Sequence, residues 1–355
     1  MNALFDPITL RSVTFKNRIW LSPMCQYSAV DGFVGQWHEV HLGSFATGGF
    51  GMVMVEATAV VPEGRISIGC PSIEDEDHAL AFKPTIDFAH IHGVKMGIQL
   101  AHAGRKASTL LPADNHAIAT PDKGGWQAVA ASAIAFHGYP EPRELTTLEI
   151  KMIVRDFAAA ALRAVEVGFD VIEIHAAHGY LLHQFYSPLA NTRTDEYGGD
   201  FEGRTRLLVE VVQEIRKVIP EGVPLLVRIS ATDWVDEGWN LIDSIELSKI
   251  LKVMGVDLID VSTGGNVHNA PITASPGFQV PFAAAIRTEA AVATSAVGMI
   301  TEPEQAQYIL ETGEADAIFI ARAALRNPRW PLMASEKLGV KIDWPFQLDR
   351  GRTLR

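Results

Sequence analysis

Cysteine is almost missing from this chain. Cys25 and Cys70 are the only two in 355 residues, too few for a disulfide framework, a four-cysteine zinc site or a four-cysteine iron–sulfur cluster. Any redox chemistry therefore needs an organic cofactor. Cations are scarce as well: 30 Lys and Arg stand against 42 Asp and Glu, a formal net charge of −12. With no basic run to interrupt that excess, nucleic acid and anionic membrane surfaces are repelled over most of the molecule, so a bound phosphate has to be held by local arginines and backbone N–H groups. No apolar run reaches the length of a membrane span. The amino-terminal stretch carries Asp6, Pro7 and Arg11 where a secretion signal needs unbroken apolar sequence. These absences predict a cytoplasmic protein.

What remains is ordinary globular material, 48% hydrophobic and 20% charged, enough to bury a sizeable core. Short β-branched runs alternate with longer amphipathic ones, the pattern of repeated βα units around a parallel sheet. Strands are expected at residues 18–21, 52–56, 95–100, 171–174, 225–229, 258–261, 292–295 and 317–320. Helices are expected at 82–92, 148–167, 202–218, 241–254 and 304–311 among others. Eight strands with seven or eight helices predict an α/β fold, a (β/α)8 TIM barrel filling residues 1–355 as one domain. An open doubly wound sheet would carry a glycine fingerprint after its first strand; Gly48-Gly49-Phe50-Gly51 instead precedes a strand and reads as a turn out of a helix. Residues 103–143, directly after the third strand, lack periodicity and predict an inserted segment over the carboxyl end of the barrel, a lid or pocket wall.

The chemistry concentrates in Val171-Ile-Glu-Ile-His175-Ala-Ala-His178-Gly-Tyr180, where an apolar strand runs into two histidines and a tyrosine at the end of the barrel that carries active sites. Gly179 lets the backbone bend so that Tyr180 joins the imidazoles. Two N–H donors and a phenol facing one spot suit a reaction in which negative charge grows on a carbonyl oxygen and a proton is then delivered. On spacing alone two other uses stay open. His175 and His178 could be metal ligands with Glu173 or Asp260, as in a metal-dependent barrel lyase or hydrolase, or satisfied packing residues. Arg228, ending an otherwise apolar strand, needs an anionic partner, either a carboxylate such as Glu173 or a bound anionic ring. The loops after the seventh and eighth strands, with Gly298 and with Ala321-Arg322, offer the phosphate-binding groups common in barrels.

The histidine segment resembles the signature of the Old Yellow Enzyme family of flavin-dependent ene-reductases. Downstream, Asn191-Thr-Arg193-Thr-Asp195-Glu-Tyr197-Gly198-Gly199-Asp-Phe-Glu-Gly-Arg204-Thr-Arg206 resembles the same family's N-x-R-x-D-x-Y-G-G-x-x-x-x-R-x-R run, read as a scaffold in which Arg193, Asp195 and Arg206 form a charge network. Pro23-Met24-Cys25-Gln26-Tyr27 resembles the thermophilic-like, xenobiotic-reductase-like subclass. The resemblance implies bound FMN reduced by NADPH or NADH, with small enone-type substrates. It places Ser22, Pro23, Met24, Cys25, Ala57, Gln99, His175, Arg228, Gly298, Ala321 and Arg322 around the cofactor and Tyr180, His175, His178, Cys25 and Tyr27 at the reacting centre, with no metal. Gln279 and the loop 262–266 are expected at the border of the site. Leu348-Asp-Arg350-Gly351 resembles the subclass feature in which an arginine completes a neighbouring subunit's site, implying a homodimer or homotetramer.

Overall fold

The computed structural model describes residues 3–353. Eight parallel strands close on themselves: β1 (Ile19–Leu21), β2 (Met52–Ala59), β3 (Lys95–Ala101), β4 (Val171–Ala176), β5 (Leu225–Ser230), β6 (Leu258–Ser262), β7 (Ala293–Ala296) and β8 (Ala317–Ile320), with β8 pairing back onto β1. Each is followed by one helix of the outer ring: α1 (Gln36–Ala46), α2 (Lys83–Ile91), α3 (Thr147–Val167), α4 (Phe201–Val218), α5 (Leu241–Val253), α6 (Val280–Glu289), α7 (Pro303–Glu311) and α8 (Trp330–Lys337). The expected TIM barrel is therefore the observed fold, with strand bounds within a few residues of expectation.

The interior is layered. An antiparallel hairpin, Ile8–Leu10 with Val13–Phe15, lies at the amino end, and Phe15, Trp20, Met52, Met54, Leu226, Leu258 and Phe319 fill the barrel above it. Trp20 meets Phe15 and Phe319 at ring separations of 4.8 and 5.6 Å, so the lower barrel is a packed apolar plug. Above that plug the inward positions turn polar. Pairing sets Gln99 beside Glu173, Arg228 beside Asp260 and Asp260 beside Ser295. The site is thus built at the carboxyl end because the plug leaves no room elsewhere.

Local signals set the helix ends. Thr146 and Glu149 cap each other's backbone at the start of α3, and Gly168 ends it at a φ of 115°; Asp200 and Asn240 cap α4 and α5, each cap contributing about 1 kcal/mol. The inserted segment 103–143 forms 3-10 turns and a two-residue parallel pairing of Val129–Ala130 with Arg143–Glu144. It is pinned from below, where Arg193 donates to the carbonyls of Ala131 and Leu145 at 2.9 and 2.6 Å and the Thr192 N–H reaches Ser132 Oγ at 3.0 Å. These hydrogen bonds tie the segment to the loop after β4. Among the described residues no helix is long and apolar enough to cross a membrane.

Candidate active site

β4 delivers its histidines as the sequence predicts. His175 is buried and His178 and Tyr180 half-buried; the His175 ring lies 5.1 Å from that of His178 and 4.9 Å from that of Tyr180, edge to face in both cases. The turn depends on Gly179: its φ is 73°, and a Cβ there would stand 2.4 Å from the Gly265 carbonyl oxygen, so only glycine lets the β4 and β6 loops meet. Burial, and then neighbouring positive groups, hold both imidazoles well below the ordinary histidine range, so they are neutral at pH 7.

A backbone hydrogen bond decides where the His175 ring proton sits. The Ala177 N–H donates to His175 Nδ1 at 3.2 Å, which leaves the proton on Nε2. His178 Nε2 lies 2.7 Å from Ser262 Oγ. That hydroxyl has a second, longer contact of 3.3 Å to Gln279 Oε1, which already accepts from Thr263 at 2.7 Å. Ser262 has one proton to give: when it goes to Nε2, His178 carries its own proton on Nδ1, and when it goes to Gln279, on Nε2. Burial above all raises the Tyr180 phenol well above its usual value, so it too stays protonated.

Below this trio lies a charged floor. The Gln99 amide donates to Glu173 at 2.7 Å. Arg228 Nε pairs with Asp260 Oδ2, Nη2 donates to Ser22 Oγ at 3.2 Å, and Glu173 stands at 3.9 Å. Asp260, not Glu173, is therefore the close carboxylate partner of Arg228. One guanidinium faces two buried carboxyls, and burial together with Asp260 pushes Glu173 up to about 8. A carboxyl neutral in the folded chain but ionised in the unfolded one above about pH 4.3 gives stability that is full below that value and is lost as pH climbs through about 8. Glu173→Gln keeps the shape without the ionisation. Its melting temperature is expected to decline less than the parent's between pH 7 and 9 in thermal scans; an identical decline overturns the assignment.

The remaining expected residues fall in two groups. Cys25, Tyr27 and Tyr180 pack with Ala57, Ala101 and Cys70, so the segment after β1 and the end of β2 share one wall with the β4 turn. Pro23 and Met24 are half-buried beside them. Gly298, Ala321 and Arg322 line a separate surface cavity of about 230 Å³ with Thr301 and Arg326. Gln279 bridges the two regions, accepting from Thr263 and donating to the Val297 carbonyl at 3.0 Å.

Three participants were not singled out from sequence. Lys106 Nζ donates to the carbonyls of His178 and Gly265 at 2.8 and 3.0 Å and lies 5.1 Å over the Tyr180 ring. Arg105 donates to Asn266 from the same turn. The Gly179 N–H donates to His183 Nδ1 at 2.9 Å, and His183 Nε2 contacts Asp233 at 2.9 Å inside the fold. The signal for the first two was the cation pair Arg105-Lys106 inside a weakly charged insert. The expected charge network needs one correction: Arg193 pairs with Asp195, but Arg206 donates to the Glu196 carbonyl at 2.7 Å instead.

These groups suit FMN. Gly298 sits at a φ of 119° beside the cavity, with Gln279 so close that a Cβ there would stand 2.8 Å from its side-chain nitrogen, and Arg322 is exposed with no acceptor among the described residues, which fits a phosphate end. The floor presents an amide, a hydroxyl and a guanidinium together, the donors a flavin ring's polar edge requires. A metal reading of the histidines fits worse, since among the described residues no cluster of three ligating side chains includes His175 or His178.

Comparison with known proteins agrees. The profile of the NADH:flavin oxidoreductase / NADH oxidase family matches residues 3–340. NADPH dehydrogenases of Geobacillus thermodenitrificans and Bacillus subtilis are each 47% identical over 351 residues, 98% of this chain and of theirs. Among solved structures, morphinone reductase in complex with tetrahydroNAD superposes with a TM-score of 0.79 at 26% identity, covering 96% of this chain and 92% of that one. The old yellow enzyme homologue from Zymomonas mobilis gives 0.78 at 26%, covering 96% and 94%. The chain belongs to the NADH:flavin oxidoreductase / NADH oxidase family and is an FMN-dependent NAD(P)H oxidoreductase of the ene-reductase type.

Proposed function

We propose that the mouth of the barrel reduces the activated C=C bond of α,β-unsaturated aldehydes, ketones, maleimides and similar electrophiles in a ping-pong cycle, the nicotinamide and the enone using one pocket in turn. The observation that carries this reading is the pair of neutral imidazoles, with the His175 proton held on Nε2, beside a protonated phenol. Bound FMN supplies the two-electron chemistry between the nicotinamide and the substrate's β-carbon. His175 Nε2–H and His178 Nδ1–H hold the carbonyl oxygen, where charge develops. Tyr180 gives its proton to the α-carbon. Lys106 fixes the β4 turn that presents them.

Ser22, Gln99 and Arg228 orient the ring's polar edge, and Ala57 with Pro23, Met24, Cys25 and Tyr27 lines the rest of it. Gly298, Ala321 and Arg322 take the phosphate. Arg322→Ala is expected to lower FMN affinity about 10- to 100-fold, the loss of a charge-assisted hydrogen bond, giving largely colourless protein on purification; a full FMN complement would put the phosphate elsewhere. We also place the chain in a homodimer or homotetramer in the cytoplasm. Trp344 lines a cavity with Lys16, Asn17, Gly49 and His92, which precede strands, so the tail carrying exposed Arg350 lies at the amino end of its own barrel and Arg350 serves a neighbour's site. The whole reading is tested by colour: anaerobic NADPH should bleach the yellow protein and an enone should restore it. Yellow protein inert to NADPH, or bleached protein inert to enones, overturns it.

A further inference from the structure

The chain has only two cysteines, and the fold brings them together. Cys25 follows β1, Cys70 lies in the connection after β2, and their Sγ atoms and a Glu56 carboxylate oxygen are all within 4.8 Å of one another. Cys70 and Glu56 are buried, Cys25 is half-buried, and both thiols are free. Nothing in the proposed reaction uses Cys70 or Glu56. We propose that Cys25, Cys70 and Glu56 form a binding site for a soft divalent metal ion, zinc or cadmium in character.

The donor set selects the ion. Two sulfurs and one carboxylate oxygen suit zinc or cadmium and disfavour magnesium and calcium, which take oxygen shells. In a tetrahedral site with metal–sulfur bonds of about 2.3 Å, ligand atoms stand about 3.5–3.8 Å apart, so closing this cluster onto an ion takes side-chain adjustment without rearrangement of the fold. A β-bulge between Val55 and Ala57 interrupts the β2–β3 register at Glu56, the irregularity by which strands re-aim a side chain.

The carboxylate is also held from outside. The Gln26 N–H donates to its Oε2 at 2.8 Å. His38 Nδ1 accepts from the Gly35 N–H at 3.2 Å, so its proton is on Nε2, which faces Glu56 Oε1 at 3.3 Å from a buried ring with no aligned acceptor. That places His38 outside the ligand set, next to the carboxylate it faces. Three protein ligands leave a fourth position for water, and half-buried Cys25 gives a way in.

Electrostatics adds support. Cys70 and Glu56 push the Cys25 thiol up, and burial pushes up both Cys25 and Glu56. Binding a divalent ion breaks two S–H bonds, forms two metal–sulfur bonds and passes two protons to solvent. The site stands apart from the flavin reading. Its consequence, slower turnover when the ion holds Cys25, rests on that reading.

The test uses the FMN-loaded, chelator-treated chain. Cadmium is titrated while the thiolate-to-metal charge-transfer band is followed in the ultraviolet, and zinc stoichiometry is read by competition with a chromophoric chelator. One ion per chain is expected. Cys70→Ser and Cys70→Ala should each weaken binding tenfold or more, at least the loss seen on removing an outer-shell partner, and should shrink the band, while enone reduction in chelator stays at the parent rate. No band, or a band of equal affinity in both Cys70 variants, overturns the site. One bound ion with unaltered turnover keeps the site and overturns the placing of Cys25 against the ring.

Discussion

Tyr180→Phe is expected to slow the reoxidation of reduced enzyme by an enone by two to four orders of magnitude, the usual worth of a positioned general acid, while leaving flavin reduction by NADPH within about twofold. The asymmetry follows from where the phenol acts. Electron entry from the nicotinamide requires no proton from the chain, whereas saturating the C=C bond leaves a carbanion-like α-carbon that must be protonated. With its pKa raised by burial, Tyr180 holds its proton at any working pH and releases it only to a strongly basic centre. Phenylalanine keeps the edge-to-face contact with His175 at 4.9 Å, so the turn should stay in place and the loss should be chemical. Stopped-flow measurement of the two half-reactions separates the cases. Equal losses in both, or none in the second, would remove Tyr180 from the acid role.

The barrel was legible because each strand is a short run of Val, Ile, Leu and Met between polar turns, and buried parallel strands have to look like that. Helix α6 was not read from periodicity. Pro281 opens it and Ala283, Ala284 and Ala285 fill its middle, so little contrast separates its two faces. The trio on β4 could be read because its members are near neighbours in sequence and the strand end dictates their direction. Partners across the barrel could not. That Arg228 meets Asp260 more closely than Glu173 is set by the β5–β6 register, which pairs residues 228 and 260 directly. Lys106 is similar: its acceptors are the carbonyls of His178 and Gly265, and backbone acceptors leave no mark on side-chain identity. The meeting of Cys25 with Cys70 is hidden because it joins the segment after β1 to the connection after β2, which only the folded chain brings together.

Removing one imidazole should be nearly as damaging as removing the phenol. His175→Ala deletes the donor whose proton is fixed on Nε2 by the Ala177 N–H, and one oxyanion donor is worth about 3 kcal/mol, or 100- to 1,000-fold in rate. The loss should fall on enone reduction, and His175→Asn, which restores an N–H at a similar reach, should recover part of it; a cavity effect alone would not distinguish the two variants. The pH profile gives an independent check. Burial holds His175 and His178 well below 6.5, so the donors are already neutral at pH 6 and gain nothing as pH rises. Single-turnover enone reduction should therefore be flat across pH 6–7, below the range in which Glu173 titrates, with no step near the ordinary histidine value of about 6.5. A rate that falls through that region would mean that a protonated imidazole does the work, and that the neutral His175 whose proton Ala177 holds on Nε2 is not the form that reacts.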